Sequence, residues 1–443
     1  MKGLSLKIGA FNYSNIVLLV MMVCIRCGRS SIVHPVILIP GAGGNQLEAR
    51  LSKHYKPTSL ICNRWYPLNK DQDGWYRIWF EPSVILAPFT DCFAQRMMLH
   101  FDPLLDDYCN APGVQTRVPH FGSTQSMLYL DPYLKHISAY MAPLVDSLQQ
   151  IGYVEGETLF GAPYDFRYGL AAQGHPSKVG SKYLQDLKTL IEDASASNGG
   201  KQVILVSHSL GGLFTLQLLN RNPPSWRQKF IKHFLALSAP WGGAVDEVLT
   251  FASGNTLGVP LVDPLRVRAE QRSSESNLWL LPNPMFFGGT KPLVITENRN
   301  YTASDIPDFL KDIGFPEGVL PYETRIVPLV RNVEAPEVDV TCVMGAGVRT
   351  PESLIYWDGD FDKQPEMVYG DGDGTVNMVS LMGLQSLWGS EKNQSLKVIK
   401  VGGVSHMEIL KDEAALDVVI GEINKLNSFS YRPPDHAEKV SEI

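Results

Sequence analysis

Charge is scarce in this 443-residue chain: 19% of positions are Asp, Glu, Lys or Arg, and 39 basic against 46 acidic side chains leave a net charge of −7. No run of basic residues could track a phosphate backbone, which excludes nucleic acid as a partner class. Internal repeats are absent. So is any His/Cys spacing that would hold zinc. Asp358-Gly-Asp360-Phe-Asp362 opens like a calcium loop, but Lys363 and Tyr369 stand where the turn glycine and the closing glutamate belong. The glycines Gly41 to Gly44 lack both a following Lys-Ser/Thr and G-x-G-x-x-G spacing, so a nucleotide loop is set aside. Neither metal nor cofactor is expected. What the chain does have is 44% hydrophobic residues with 38 Gly and 30 Pro, enough for a large core and incompatible with a coiled coil or collagen.

The one continuous apolar run is Ile16 to Ile25, ten residues between Lys2 and Lys7 on one side and Arg26-Cys-Gly-Arg on the other. As a helix it reaches about 15 Å, half of a bilayer core of about 30 Å. Residues 1–30 therefore read as a cleaved signal peptide, with a signal anchor lengthened by Phe11 to Ser14 as the alternative. Either form directs the chain to the secretory pathway, ending on an endomembrane, in a vacuole or outside the cell. Residues 431–443 carry Pro433-Pro434 and no apolar period, and are expected to form a flexible tail. Cys24 and Cys27 fall in the leader, leaving Cys62, Cys92, Cys109 and Cys342, whose spacing allows three pairings. Asn300-Tyr-Thr and Asn393-Gln-Ser are glycosylation acceptor patterns.

Short apolar runs ending in small-residue turns recur: Pro35 to Pro40, Lys201 to Ser207, Phe234 to Ser238, Val338 to Met344 and Leu396 to Val401. Helical spacing follows the second, over Leu210 to Asn220, and the last, from about Met407 to Leu426. Strands alternating with helices predict an α/β fold around a mostly parallel sheet, over residues 31–430. Two stretches break that rhythm. About 50–101 is crowded with Trp65, Tyr66, Trp75, Tyr76, Trp79 and Phe80, while about 244–334 is Pro-rich and weakly periodic. Both read as insertions covering the sheet.

Ser207-His208-Ser209-Leu210-Gly211, between a strand and a helix, is a near match to the G-x-S-x-G nucleophile elbow, with Ser207 in place of the first glycine. Helix capping by Ser209 is the plainer reading. A serine hydroxyl needs a base, and a carboxylate behind that base. Of the ten histidines, His406 and His436 come late enough, and His406 lies between the last strand and last helix, whereas His436 lies in the tail. His208 points away from its neighbour and reads as structural. Asp373 is the first choice of acid, with Asp371 in reserve, in the loop Gly370-Asp-Gly-Asp-Gly374. A tetrahedral intermediate needs amide donors, which Leu210 and the loop Gly41 to Gly44 can offer.

Taken together, Pro35 to Ala49, Gly161-Ala-Pro-Tyr-Asp-Phe-Arg167, Ser207 to Gly211, Ser238-Ala-Pro-Trp-Gly-Gly243, Gly372 to Val376 and His406-Met resemble the lecithin:cholesterol acyltransferase-like lipases. That family includes lysosomal phospholipase A, and its plant members are the nearest match. The resemblance runs in order from about residue 35 to 410. It implies an α/β-hydrolase fold with a cap (about 244–334) and a membrane-binding lid (about 50–101), and a triad of Ser209, Asp373 and His406. It also implies oxyanion amides from Gly43 and Leu210, a Cys62–Cys92 disulfide under the lid, and Trp65 and Trp75 facing lipid. Cap core is the plainer reading of those aromatics. A second family disulfide would need a partner for Cys342 near Leu384, and Cys109 has no assigned role.

The implied activity is serine-dependent acyl transfer from a glycerophospholipid at a membrane or lipoprotein-like surface. A sterol, another lipid alcohol or water would take the acyl group. A purely hydrolytic phospholipase or lysophospholipase is the alternative, and an inactive lipid-binding module or a soluble esterase or peptidase are the others.

Overall fold

The computed structural model describes residues 33–442 apart from 58, 65–69, 257, 260, 332, 392 and 428–439. The leader, Trp65 and His436 lie outside the described residues. The centre is a seven-stranded sheet. Its strands are β1 (Val36–Ile39), β2 (Leu159–Gly161), β3 (Val203–His208), β4 (Ile231–Leu237), β5 (Val340–Ala346), β6 (Leu396–Gly402) and β7 (Val440–Glu442). They lie side by side in the order β7-β6-β5-β4-β3-β1-β2. All neighbours are parallel except β7, whose backbone pairs antiparallel with β6. Those last residues belong to the stretch expected to be a loose tail. The unpaired amides and carbonyls along an edge strand give such a segment a place to dock.

Continuous apolar runs make β1 and β3 because both sheet faces are covered. Alternate residues go to opposite cores. Ile37, Ile39, Leu205, Phe234 and Cys342 face one, with α1 (Lys178–Ser197) and α2 (Leu210–Asn220). Val36, Leu38, Ile204, Val206, Leu235 and Ile399 face the other, with the helix Ala142–Gln150 and α3 (Glu413–Leu426). The last helix starts later than the periodicity predicts. A 3-10 turn covers Glu408–Leu410, and Asp412 then caps α3, its Oδ1 accepting from the Ala414 and Ala415 amides at 3.0 and 3.2 Å.

With this strand order, a nucleophile-type turn after β3 and covering segments, the architecture is an α/β-hydrolase fold with a cap. The cap contains the helices α4 (Val245–Ser253) and α5 (Pro264–Ser273) and a four-stranded sheet. Half of that sheet, Thr350–Tyr356 and Glu366–Gly370, comes from beyond residue 334, after the chain has returned to the core to lay down β5. Its members are split across a core strand, which hid them from a linear reading.

The lid region has a three-stranded sheet of Leu47–Leu51, Tyr76–Trp79 and Val114–Arg117. Cys62, on the helix Leu60–Arg64, is bonded to Cys92, on the helix Thr90–Met97, and Arg96 Nη2 donates to the Cys62 carbonyl at 3.0 Å. Trp75 is half-buried, with the guanidinium carbons of Arg50 and Arg117 at 4.6 and 4.5 Å from its ring centre. Among the described residues of this region Leu60 and Ile61 are outward and apolar, 76% and 50% exposed on the short helix Leu60–Arg64. Cys109 is exposed and unpaired, and Cys342 is buried in β5 and unpaired, with Leu384 also buried. Asn300 and Asn393 are exposed.

Replacing Cys62 and Cys92 with Ser removes a cross-link over 30 residues, which chain-entropy arithmetic values at about 3.5 kcal/mol. Hydrogen exchange over residues 90–97 is expected to speed up in the variant while β3 and β4 stay protected. Unchanged exchange there refutes a structural role for the bridge.

Candidate active site

Loops from the C-terminal edges of β1, β3, β5 and β6 meet at one point. Ser209 follows β3 with φ 53° and ψ −129°, a conformation that non-glycine residues adopt only under strain. Close packing enforces it. A Cβ on Gly211 would lie 2.4 Å from the Pro40 carbonyl oxygen, and one on Gly41 would lie 2.7 Å from Ser209 Cβ. The turn is held by the Ser209 amide, which donates to the Leu237 carbonyl of β4 at 2.9 Å.

His406 Nε2 stands 3.0 Å from Ser209 Oγ, and its Nδ1 stands 2.8 Å from Asp373 Oδ2. The backbone repeats the link, with the His406 amide donating to the Asp373 carbonyl at 2.7 Å. Asp373 is fully buried, and its Oδ1 accepts from the amides of Val376 and Thr375 at 2.7 and 3.2 Å. Burial alone would push this carboxyl up; the His406 imidazole and the two amides outweigh it and hold it below the usual carboxylate range. Asp371 is elsewhere, its Oδ1 accepting from the Gly347 amide at 2.8 Å. A base poised on a hydroxyl and backed by an ionised carboxylate can drive nucleophilic attack on an ester.

Amide donors are at hand. Leu210 is the first residue of α2, so its N–H has no acceptor within the helix. In the opposing loop the Gly41 amide donates to Tyr140 Oη at 2.8 Å and the Gly44 amide to the Gly41 carbonyl at 3.1 Å. Among the described hydrogen bonds, the amides of Ala42 and Gly43 are unused. Ala42 thus joins Gly43 as a candidate; a search for glycine passes over it, although an alanine amide serves equally well.

His208 and Tyr140 form a link that the sequence did not disclose. His208 Nε2 lies 3.0 Å from the His406 carbonyl, so it carries the proton and donates. Nδ1 then accepts from the Tyr140 hydroxyl at 2.7 Å, while that oxygen accepts the Gly41 amide. A buried chain therefore runs from the Gly41–Gly44 loop to the backbone of the very histidine that faces Ser209. Burial, helped by nearby His406, pushes the His208 imidazole down to about 3, so it stays neutral. Tyr140 lies 68 residues before His208, and no local pattern connects them.

Comparison with known proteins follows the same lines. Residues 75–326 and 322–413 match the family described as lecithin:cholesterol acyltransferase. Lecithin-cholesterol acyltransferase-like 1 of Arabidopsis thaliana is 59% identical over 398 residues, 89% of this chain and 90% of that protein. Lysosomal phospholipase A and acyltransferase of Rattus norvegicus is 36% identical over 383 residues, 86% and 88% of the two chains. Phosphatidylcholine-sterol acyltransferase of Homo sapiens is 34% identical over 409 residues, 91% and 88%.

Tyr140→Phe cuts the chain at its middle. Fluorophosphonate labelling of Ser209 is expected to slow about tenfold, and the melting temperature to fall by a few degrees, because the Gly41 amide and His208 Nδ1 both lose their partner. An unchanged rate counts against the link. A second expectation concerns acid. The folded His208 binds its proton only near pH 3, against an unfolded value of 6.5. The unfolded chain then holds more protons over that window, and stability falls as pH drops through it. His208→Gln should flatten this part of a denaturation-versus-pH curve; an unaltered slope removes His208 as its source.

Proposed function

This chain belongs to the lecithin:cholesterol acyltransferase family, and on that premise we propose that it is a serine-dependent lipid acyltransferase and phospholipase A acting on glycerophospholipids. The observation that carries the reading is the contact chain Ser209 Oγ, His406 and Asp373, at 3.0 and 2.8 Å. Ser209 Oγ attacks the ester carbonyl as its proton passes to His406 Nε2, and Asp373 stabilises the imidazolium that results. The oxyanion is received by the Leu210 amide and by that of Gly43 or its neighbour Ala42. His406 then gives its proton to the departing oxygen, the lyso-lipid leaves, and Ser209 holds the acyl group as an ester. An incoming alcohol or water loses its proton to His406, attacks that ester and releases Ser209. A sterol or other lipid alcohol gives transfer, and water gives hydrolysis.

The names of the relatives, one a lysosomal phospholipase A and acyltransferase and another a phosphatidylcholine-sterol acyltransferase, support both outcomes on the same machinery. The Cys62–Cys92 bridge supports an oxidising, secretory setting. No helix among the described residues is long and apolar enough to cross a membrane. Contact with a lipid surface would fall to exposed apolar groups such as Leu60 and Ile61. Asn300 and Asn393, exposed at acceptor triplets, are proposed glycan sites in that setting.

The test is phosphatidylcholine labelled separately in each acyl chain, incubated with and without sterol or another long-chain alcohol. Label is expected in free fatty acid and, with the acceptor present, in its ester. Ser209→Ala should abolish both, a loss of at least about a thousandfold. Turnover that persists in Ser209→Ala overturns the proposal.

A further inference from the structure

Beside the loop that carries Ala42 and Gly43 lies a cavity of about 130 Å³ whose two sides differ in character. The lid side is apolar. Trp79, Ile85, Phe93 and Met97 line it, with Trp79 fixed by its Nε1–H to the Gly43 carbonyl at 2.8 Å and by stacking on Phe93. The cap side carries two carboxyl groups, Glu247 on α4 and Glu270 on α5.

Neither carboxyl is fully matched by protein. Glu247 is half-buried, and of its two oxygens Oε2 is closed off from solvent and accepts no hydrogen bond. Glu270 is 8% exposed, and among the described residues nothing donates to its carboxyl or pairs with it. The cation that acts on Glu270, Arg167, is already engaged by Asp165 at 2.6 and 2.8 Å. Three other polar groups around the cavity are matched: Gln271 Nε2 donates to the Asn255 carbonyl, Asn277 Nδ2 to the Gln271 carbonyl, and Ser276 Oγ to the Phe166 carbonyl. Burial, with Asp246 adding to it, raises Glu247 to about 8; burial opposed by Arg167 raises Glu270 to about 7. Near neutrality both groups therefore hold a proton for a substantial part of the time, and a protonated carboxyl can donate and accept at once.

A hydrocarbon segment lying in this space would satisfy the lid side and leave the buried Glu270 carboxyl unmatched, which is costly for a buried polar group. A segment bearing a hydroxyl satisfies both sides. The cavity also touches the proposed oxyanion loop, so its occupant sits near the reacting ester. We propose that this cavity is a substrate subsite selecting lipids with a hydroxyl group close to the reacting ester, carried either by the acyl chain or by the acceptor alcohol. The inference rests on the acyl-transfer reading above and deepens it.

Two sets of assays separate the sources. In the first, phosphatidylcholine vesicles carry stearoyl chains or positional isomers of hydroxystearoyl. In the second, stearoyl is the donor chain, and a long-chain diol competes with its matching mono-alcohol as acceptor. At least about tenfold preference in kcat/KM for one hydroxylated isomer, or for the diol, is expected, because a site built to bond a hydroxyl discriminates strongly against the analogue lacking it. Glu247→Leu and Glu270→Leu should bring that ratio towards one, while Glu247→Gln and Glu270→Gln, which keep hydrogen-bonding groups, retain most of it.

Equal rates across all isomers and both acceptors in the wild-type protein overturn the proposal, whether or not the variants fold. A preference that survives in both leucine variants overturns it too. Fluorophosphonate labelling runs alongside: wild-type protein that labels and turns over phosphatidylcholine without preference sinks this inference alone, whereas protein that fails to label sinks the reading beneath it.

Discussion

The hydrogen bond from His406 Nδ1 to Asp373 Oδ2 is the contact on which the site depends. It joins the loop after β6 to a loop reached only after the cap hairpin, 33 residues away in sequence. The His406 amide on the Asp373 carbonyl fixes the same pair a second time through the backbone. The imidazole is thereby held with its other nitrogen on Ser209, and one rigid edge of a parallel sheet presents all three groups together. Below it, His208 ties the His406 carbonyl through Tyr140 to the Gly41 amide. The base and the loop opposite it therefore share one hydrogen-bonded frame, and displacement of either is felt by the other.

The parts of this arrangement that were readable in the sequence are those fixed by local rules. Strand, tight turn and helix around Ser209 announce themselves because the strain of the turn demands small neighbours, of which Gly211 is one. His406 could be found from its place between the last strand and last helix. Asp373 and Asp371 could not be separated by spacing, since both lie in one glycine-rich loop. Family resemblance chose Asp373, and in the fold Asp371 turns instead to the Gly347 amide.

What the sequence concealed is assembled from distant pieces. Tyr140, two residues before the helix Ala142–Gln150, meets His208 because that helix packs in the same core as β1 and β3. The cap sheet takes two strands from each side of β5, so no single window of sequence contains it. Aromatic crowding near the lid drew attention to Trp75, whose ring two guanidinium groups contact. The smaller Leu60 and Ile61, with no aromatic signal, hold outward positions. Glu247 and Glu270 lie in a stretch that reads as weakly periodic, and nothing local marks them as lining one cavity with Trp79, Phe93 and Met97.

The close fit around Ser209 makes the pocket lopsided in what it can tolerate. Its floor is tightly filled: Gly41 has no room for a side chain beside Ser209, nor Gly211 beside the Pro40 carbonyl. No substitution can be accepted there without moving the nucleophile itself. The roof includes residues of α4 and α5, among them Glu247, Thr250, Val267 and Glu270. Over evolutionary time, and in any laboratory redesign, new substrate choices must be written into the roof, while the floor is inherited unchanged.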